Sequence, residues 1–269
     1  MRKSQRIKLP VALTIAGSDS GGGAGIQADL KTFASLGVHG TSAITCITAQ
    51  NPKAVTGIQP VKPDIVRRQI QAVFEELRPA AVKTGMLYSE SIMRVVVEMI
   101  EAYRPPAVVV DPVMVSTSGA KLLKPEALRY LEAYLLPRCT LITPNLDECR
   151  LLGAEESTSI EDLRREARAL CARYGCAALV KGGHLRGMKE AVDIYNDGRD
   201  ELLLRAPFIR GVNTHGTGCT YSAAITAYLA SGKPLPQAVA LAKEYVTQAI
   251  AHSCQAASHS VLDSFWQKS

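Results

Sequence analysis

Short apolar runs alternate along the chain with longer stretches in which apolar residues recur every three to four positions. The first pattern reads as buried strands and the second as amphipathic helices. Strands are expected over 11–16, 41–49, 80–84, 107–110, 140–143 and 177–181. Helices are expected over 26–36, 63–77, 89–103, 125–136, 146–152, 159–174, 219–230 and 236–252. Pro63 suits the first position of its helix, where no amide donor is needed. Runs at 191–195 and 201–206 flank Asn196-Asp197-Gly198, a hairpin signal. Strand and helix in alternation predict an α/β fold of three layers, with a mostly parallel central sheet between helices and an antiparallel edge hairpin. No Pro/Gly/Ser-rich linker and no repeat interrupts the pattern. One domain over 11–269 is expected, after a flexible leader over 1–10. In such sheets ligands bind at the carboxyl ends of the strands, so the residues just after each strand are where chemistry is sought.

Composition refines this only at two points. The net charge is +6, but four of the 31 basic residues (Arg2, Lys3, Arg6 and Lys8) precede the first acid, Asp19. The remainder is close to neutral, which speaks against a nucleic-acid groove. The leader and the short apolar run 9–16 do not end in a cleavage site of the small-x-small kind, so a secretory signal is not expected. No apolar run is long enough for a membrane span. The seven cysteines form no CxxC pair and no zinc-spaced cluster. Their odd number in a chain of this size suggests reduced thiols and a cytoplasmic protein.

After the first strand comes Gly17-Ser18-Asp19-Ser20-Gly21-Gly22-Gly23-Ala24-Gly25. Consecutive glycines carry an entropic cost, which favours a ligand loop over a plain turn. Residues 23–28 fit G-x-G-x-x-G/A, but the acid expected about 20 residues on is absent, with Gln50 and Asn51 there instead. Neither a Walker A motif nor a G-x-S-x-G elbow occurs. Lys83-Thr84-Gly85-Met86 follows the third strand, and Met86 alone is more often core than ligand. Asp111-Pro112-Val113-Met114 follows the fourth. An acid leaving a buried valine run needs a cation, a proton or a hydroxyl. Asn145 and Glu148 follow the fifth. Their spacing favours a capping box, and oxygen ligands ordering Mg²⁺ and its waters are the alternative. Lys181-Gly182-Gly183-His184 follows the sixth, with a lysine that can face a phosphate chain or solvent.

The most informative segment is Asn213-Thr214-His215-Gly216-Thr217-Gly218-Cys219-Thr220, which runs into an alanine-rich helix. Its backbone N–H groups and the helix dipole would converge on one anion, as suits a phosphoryl group in flight. Cys219 at the helix start is expected to have a lowered thiol pKa and to accept a proton as the thiolate.

Taken together, segments 13–19, 22–32, 49–51, 83–87, 141–145, 181–184 and 213–220 resemble the ribokinase superfamily, and within it the hydroxymethylpyrimidine/phosphomethylpyrimidine kinases of thiamine synthesis. The resemblance runs from about 13 to about 252. Many relatives carry a Pro or Ser variant in the loop after Gly17. The resemblance implies an ATP- and Mg²⁺-dependent kinase with a ribokinase-like fold. Cys219, in place of the superfamily's aspartate, would be the base, with the N–H groups of Gly216, Thr217 and Gly218 stabilising the transferring phosphoryl. Gln50 would hydrogen-bond an aminopyrimidine ring, with Gly17, Asp29, Met86 and Val113 lining its pocket. Lys181 and Thr214 would contact nucleotide, and Asp111, Asn145 and Glu148 would order Mg²⁺. The partners implied are small molecules, with a homodimer as the assembly. A pyridoxine/pyridoxal kinase of the same cysteine-containing branch is the alternative, and a non-catalytic pyrimidine-binding protein is the reading from another class.

Overall fold

The computed structural model describes residues 8–114, 123, 125–183, 185, 189–212 and 214–268. Arg2, Lys3 and Arg6 of the leader, and His184 and Asn213 of the loops singled out above, lie outside the described residues.

In chain order the elements are β1 (Val11–Asp19), α1 (Gly25–Ser35), β2 (His39–Gln50), β3 (Val55–Pro60), α2 (Pro63–Leu77), β4 (Ala81–Thr84), α3 (Glu90–Tyr103), β5 (Val108–Val110) and α4 (Pro125–Tyr130). Then follow β6 (Leu141–Ile142), α5 (Leu146–Leu151), α6 (Ile160–Tyr174), β7 (Ala177–Lys181), β8 (Glu190–Asn196), β9 (Glu201–Pro207), α7 (Thr217–Ala230), α8 (Leu235–Ala251), β10 (Cys254–Ala256) and β11 (His259–Val261). Strands β1 to β9 form one sheet in the order β3-β2-β1-β4-β5-β6-β7-β8-β9. The centre, from β2 to β7, is parallel. The hairpin β8–β9 is antiparallel, as expected.

The parallel strands are apolar on both faces because both faces are covered. In β5, Val108 and Val110 pack with residues of α2, α3 and α6 (Val66, Ile70, Phe74, Val96 and Leu170), while Val109 packs with Tyr221, Ile225 and Val239 of α7 and α8. Ala223 and Ala227 of α7 meet Phe33 of α1. Helix α7 is buried nearly all round, which is why its sequence shows no polar face. Its small side chains let the backbone of α7 approach both α1 and the sheet.

Three features depart from the sequence expectation. Strand β3 is an unanticipated antiparallel edge on β2, so the sheet has antiparallel pairing at both edges. Its exposed Thr56, Gly57 and Gln59 break the apolar alternation by which a strand is read. The helix expected over 125–136 is α-helical only to Tyr130, then takes a π turn over Leu131–Leu135 and a 3₁₀ turn over Leu136–Arg138. Pro137 has no amide donor with which to continue an α-helix. Finally, β10 and β11 form a short surface hairpin. The remaining elements match with shifted ends. Among the described residues no helix is long and apolar enough to cross a membrane.

Candidate active site

Strand β1 lies between β2 and β4. The chain leaves it toward β2 on one side and returns on the other, and a crevice opens where the strand order reverses. A cavity of about 720 Å³ lies at the carboxyl ends of the strands, with walls running from Gln50 at the end of β2 to Pro207 of β9. Gly17, Met86, Val113, Lys181, Thr214, Gly216, Thr217, Gly218 and Cys219 all line it, as do Asp111, Asn145 and Glu148.

One expected lining residue is elsewhere. Asp29 is fully buried, and its carboxylate accepts from the Lys83 ammonium and, at 2.6 Å, from the Thr14 hydroxyl. It lies behind the wall, and Lys83, itself fully buried, stands between it and the cavity. Thr14 and Lys83 are register partners across β1 and β4, so the pair is fixed by the sheet and clamped by α1.

The glycine loop is also built differently from a phosphate cradle. The Asp19 carboxylate accepts from the N–H groups of Gly21 (2.8 Å), Gly23 (3.0 Å) and Ala24 (2.8 Å). Those donors therefore close the loop on its own acid. Burial pushes the Asp19 pKa up, but His215 and these N–H groups outweigh it and hold it low. Glycine is required where the two loops meet. Gly216, the cap of α7, has φ +83, and a Cβ there would lie 1.8 Å from the Gly23 carbonyl oxygen. Gly17 is similarly confined, with the Cys46 sulfur 2.7 Å from any Cβ.

Around the start of α7 the charges converge. Lys181 Nζ lies 3.1 Å from Asp111 Oδ1. Asp111 also accepts from Thr143 Oγ1 and Ser222 Oγ, each at 3.2 Å. Burial raises the Asp111 pKa, but Lys181 and Lys83 more than offset it, so the carboxylate is ionised. A Cβ on Gly218 would lie 3.4 Å from Lys181 Nζ, which brings this ion pair against the loop before α7. Thr217 N–H donates to the Thr214 carbonyl at 3.1 Å and so shapes the loop, whereas Gly218 occupies the first helical turn, whose N–H groups have no intrahelical acceptor. Val113, a β-branched residue, sits at φ +43, a strained conformation of the kind that clusters at functional sites.

Cys219 is the third residue of α7 and a half-buried free thiol. Its pKa is not lowered as expected. Burial pushes it up to about 11, with the Lys83 ammonium the main opposing influence and the Gly25 N–H a smaller one. The Asp29 and Asp111 carboxylates push it the same way as the loss of water around the sulfur.

Asn145 and Glu148 form the capping box that their spacing favoured. Asn145 Oδ1 accepts from Glu148 N–H and Glu148 Oε2 from Asn145 N–H, both at 2.9 Å. Glu148 Oε1 accepts from Met114 N–H at 3.3 Å. Among the described residues no three His, Cys, Asp or Glu side chains are grouped as metal ligands. Two buried carboxylates in one corner, Asp111 and Glu148, do fit Mg²⁺, which keeps several waters and takes one or two carboxylates beside phosphate oxygens.

Several wall residues had no signal in the sequence. Lys243 Nζ lies 2.6 Å from Asp193 Oδ2, and Asp193 Oδ1 accepts from Gly182 N–H at 3.1 Å. Beside them Ala206, Pro207, Phe208, Val246 and Ile250 make an apolar end to the cavity. Only the misfit of Asp193 in the buried run of β8 could have pointed there.

A family profile described as Phosphomethylpyrimidine kinase matches residues 19–262. The hydroxymethylpyrimidine/phosphomethylpyrimidine kinase of Streptomyces coelicolor is 49% identical over 241 residues, 90% of this chain and 88% of that protein. The crystal structure of phosphomethylpyrimidine kinase from Clostridium difficile superposes with a TM-score of 0.81 at 44% identity, over 90% of this chain and 100% of that one. The pyridoxal kinase of Bacillus subtilis, solved as an ADP complex, superposes with a TM-score of 0.90 at 36% identity, over 97% of this chain and 99% of that one.

Proposed function

The chain belongs to the phosphomethylpyrimidine kinase family, and from that premise we propose how its cavity carries out the reaction. The protein is a phosphotransferase of thiamine biosynthesis. It phosphorylates 4-amino-5-hydroxymethyl-2-methylpyrimidine and then its monophosphate to the diphosphate. The observation that carries the mechanism is one cavity lined by Gln50 and Met86 at one end, by Lys181 and Asp111 at its centre and by apolar residues at the other end, with Cys219 and the loop before α7 among its walls.

Gln50, with Gly17, Met86 and Val113, receives the aminopyrimidine. The apolar end at Ala206, Pro207, Val246 and Ile250 receives the adenine of ATP, and the ADP complex of the pyridoxal kinase relative supports a nucleotide as the ligand. Lys181 and Thr214 face its phosphates. Cys219 takes the proton of the substrate hydroxyl. The alkoxide oxygen then bonds to the γ-phosphorus as the bond from that phosphorus to the β,γ-bridging oxygen breaks, and ADP leaves with the electron pair. The loop N–H groups at Gly216 and Gly218 and the Lys181 ammonium face the oxygens on which charge accumulates. Asp111 and Glu148 would hold Mg²⁺, which when bound neutralises phosphate charge, while Asn145 orients Glu148 as its cap. A homodimer in the cytoplasm completes the proposal.

A steady-state assay with Mg-ATP and hydroxymethylpyrimidine, its phosphate, pyridoxine and pyridoxal tests it. Turnover of both pyrimidines is expected. The match to pyridoxal kinase over 97% of the chain favours vitamin B6 forms as the second reading, and higher kcat/KM on pyridoxal than on either pyrimidine would establish that one. Binding without turnover of any of the four would mean a sensor, against which the intact set of Cys219, Lys181, Asp111 and Glu148 stands.

A further inference from the structure

His215 belongs to the phosphoryl loop, yet its ring reaches across to the substrate-reading side chain. Its Nε2 lies 3.3 Å from the Gln50 amide atom placed as Nε2 and 3.5 Å from Asp19 Oδ2. A ring nitrogen facing an ionised carboxylate carries its proton toward it, because two lone pairs there would repel. Asp19 is such a carboxylate, already accepting three loop N–H groups. The Nε2–H of His215 is therefore a donor, and the Gln50 atom it also faces must be the acceptor, Oε1.

The far end of the carboxamide gives the same orientation. Thr48 Oγ1 has one proton, and it goes to the Ser18 carbonyl at 2.8 Å. The Gln50 atom placed 3.3 Å from that hydroxyl is Oε1, which would leave two acceptors facing each other without a proton; interchanging the two amide ends puts the nitrogen there as a donor to Thr48. Every proton in the chain then has an acceptor: His215 to Gln50 and Asp19, Gln50 to Thr48, Thr48 to Ser18. Amide ends are interchangeable in shape and are assigned from such networks. The Gln50 backbone is pinned independently, since its N–H donates to Ser20 Oγ at 2.8 Å and its carbonyl accepts from the same hydroxyl at 2.7 Å.

We infer that His215 is a specificity-determining positioning residue, which through its Nε2–H fixes the polarity of the Gln50 carboxamide and so decides which ring edge the cavity accepts. Held this way, Gln50 offers one N–H and one Oε1 lone pair in a set order. That order matches a ring edge with a nitrogen acceptor beside an exocyclic amine, the amidine edge of an aminopyrimidine. A pyridine ring without the amine cannot use both. The inference rests on the assignment of Gln50 to the substrate ring made above.

Two measurements test it. Nitrogen NMR of the imidazoles, with His215 assigned by its loss in His215→Gln, reads the tautomer without any substrate. A protonated Nε2 is expected, and a bare Nε2 in the unmodified protein overturns the inference. Kinetics read the consequence. In His215→Phe the KM for hydroxymethylpyrimidine is expected to rise about tenfold, roughly the loss of one hydrogen bond. The kcat and the KM for pyridoxal should change much less. His215→Gln, which restores an N–H at the same reach, should recover most of the loss. In a Gln50→Met background the His215→Phe effect on KM should vanish. An equal rise for both substrates, a fall confined to kcat, or an undiminished effect in Gln50→Met would each overturn it. If Gln50→Met itself leaves every KM unchanged, the assignment of Gln50 to the ring fails and takes the inference with it. If Gln50→Met raises KM and His215→Phe does not, only the role of His215 fails.

Discussion

At Cys219 the local charge and the burial of the thiol oppose each other, and burial wins. A thiol with a pKa of about 11 is neutral at pH 7, with roughly one molecule in 10⁴ ionised. The same burial makes the thiolate a stronger base toward an alcohol proton. Alkylation of Cys219 by iodoacetamide should therefore accelerate with rising pH well beyond the ordinary thiol range, toward a midpoint near 11. A midpoint below 8 would show that the helix start prevails after all. Cys219→Ala should lose kcat by about 10²–10⁴-fold, the usual contribution of a general base, while ATP still binds. Lys83 is the cation that most restrains the rise, and it is fully buried with Asp29. Replacing Lys83 by Met leaves that carboxylate unpaired and should lower stability by about 3–5 kcal/mol. The double change Lys83→Met with Asp29→Leu removes both charges and should recover most of this by denaturant titration. In the recovered protein the Cys219 alkylation midpoint should move only slightly higher, because the Lys83 ammonium that lowers the thiol pKa and the Asp29 carboxylate that raises it are lost together, Lys83 being the larger influence. A midpoint that falls would mean that Asp29 outweighs Lys83 at the thiol.

At the scale of elements, α7 supplies the rigid support of the loop proposed to hold the phosphoryl group, and the glycines at its two ends give a matched comparison. Gly216 at its start has φ +83 and its Cβ position is filled by the Gly23 carbonyl, while Gly232 beyond its end has φ +80 with nothing within 4 Å. Alanine at either site incurs the left-handed backbone cost of about 1–2 kcal/mol. Only Gly216→Ala must also push the two loops apart. It should abolish most turnover, whereas Gly232→Ala should unfold at lower denaturant with near-normal kcat. Similar activities would mean that the contact between the loops is not needed for transfer. The elements themselves were largely readable in the sequence because buried parallel strands and amphipathic helices leave strong periodic patterns. Strand β3 was not, since an exposed edge with Gly57 in it has no pattern to leave. The Asn145–Glu148 box was readable because caps are local. The closing of the glycine loop on Asp19 was not, because glycine spacing shows where N–H groups can approach but not which acceptor takes them.

Over the whole molecule, sequence distance hides the site. Strand order brings Lys83 beside Cys219 and Gln50 beside His215, and no periodicity encodes that order. The chain motifs placed Gln50, Met86, Val113, Lys181 and Cys219 on one cavity, but Asp193 and Lys243 became visible only when β8 met α8. The sheet that gathers these residues runs unbroken from β3 to β9. Its two faces share strands, since alternate residues of β5 and β7 belong to opposite core clusters. Neither face can lose its helices without exposing strands that the other still covers. Residues 11–269 should therefore unfold as one unit. Calorimetry should show a single transition with an enthalpy of about 180 kcal/mol, at roughly 0.7 kcal/mol per residue near 60 °C. A calorimetric enthalpy equal to the van't Hoff value should accompany it. Mg-ATP should shift that whole transition upward, by about 2.7 kcal/mol of stability at a hundredfold excess over Kd, because its cavity is walled by strands from both ends of the sheet. Two resolved transitions, with only one moved by nucleotide, would instead divide the chain into separate units and confine the nucleotide site to one of them.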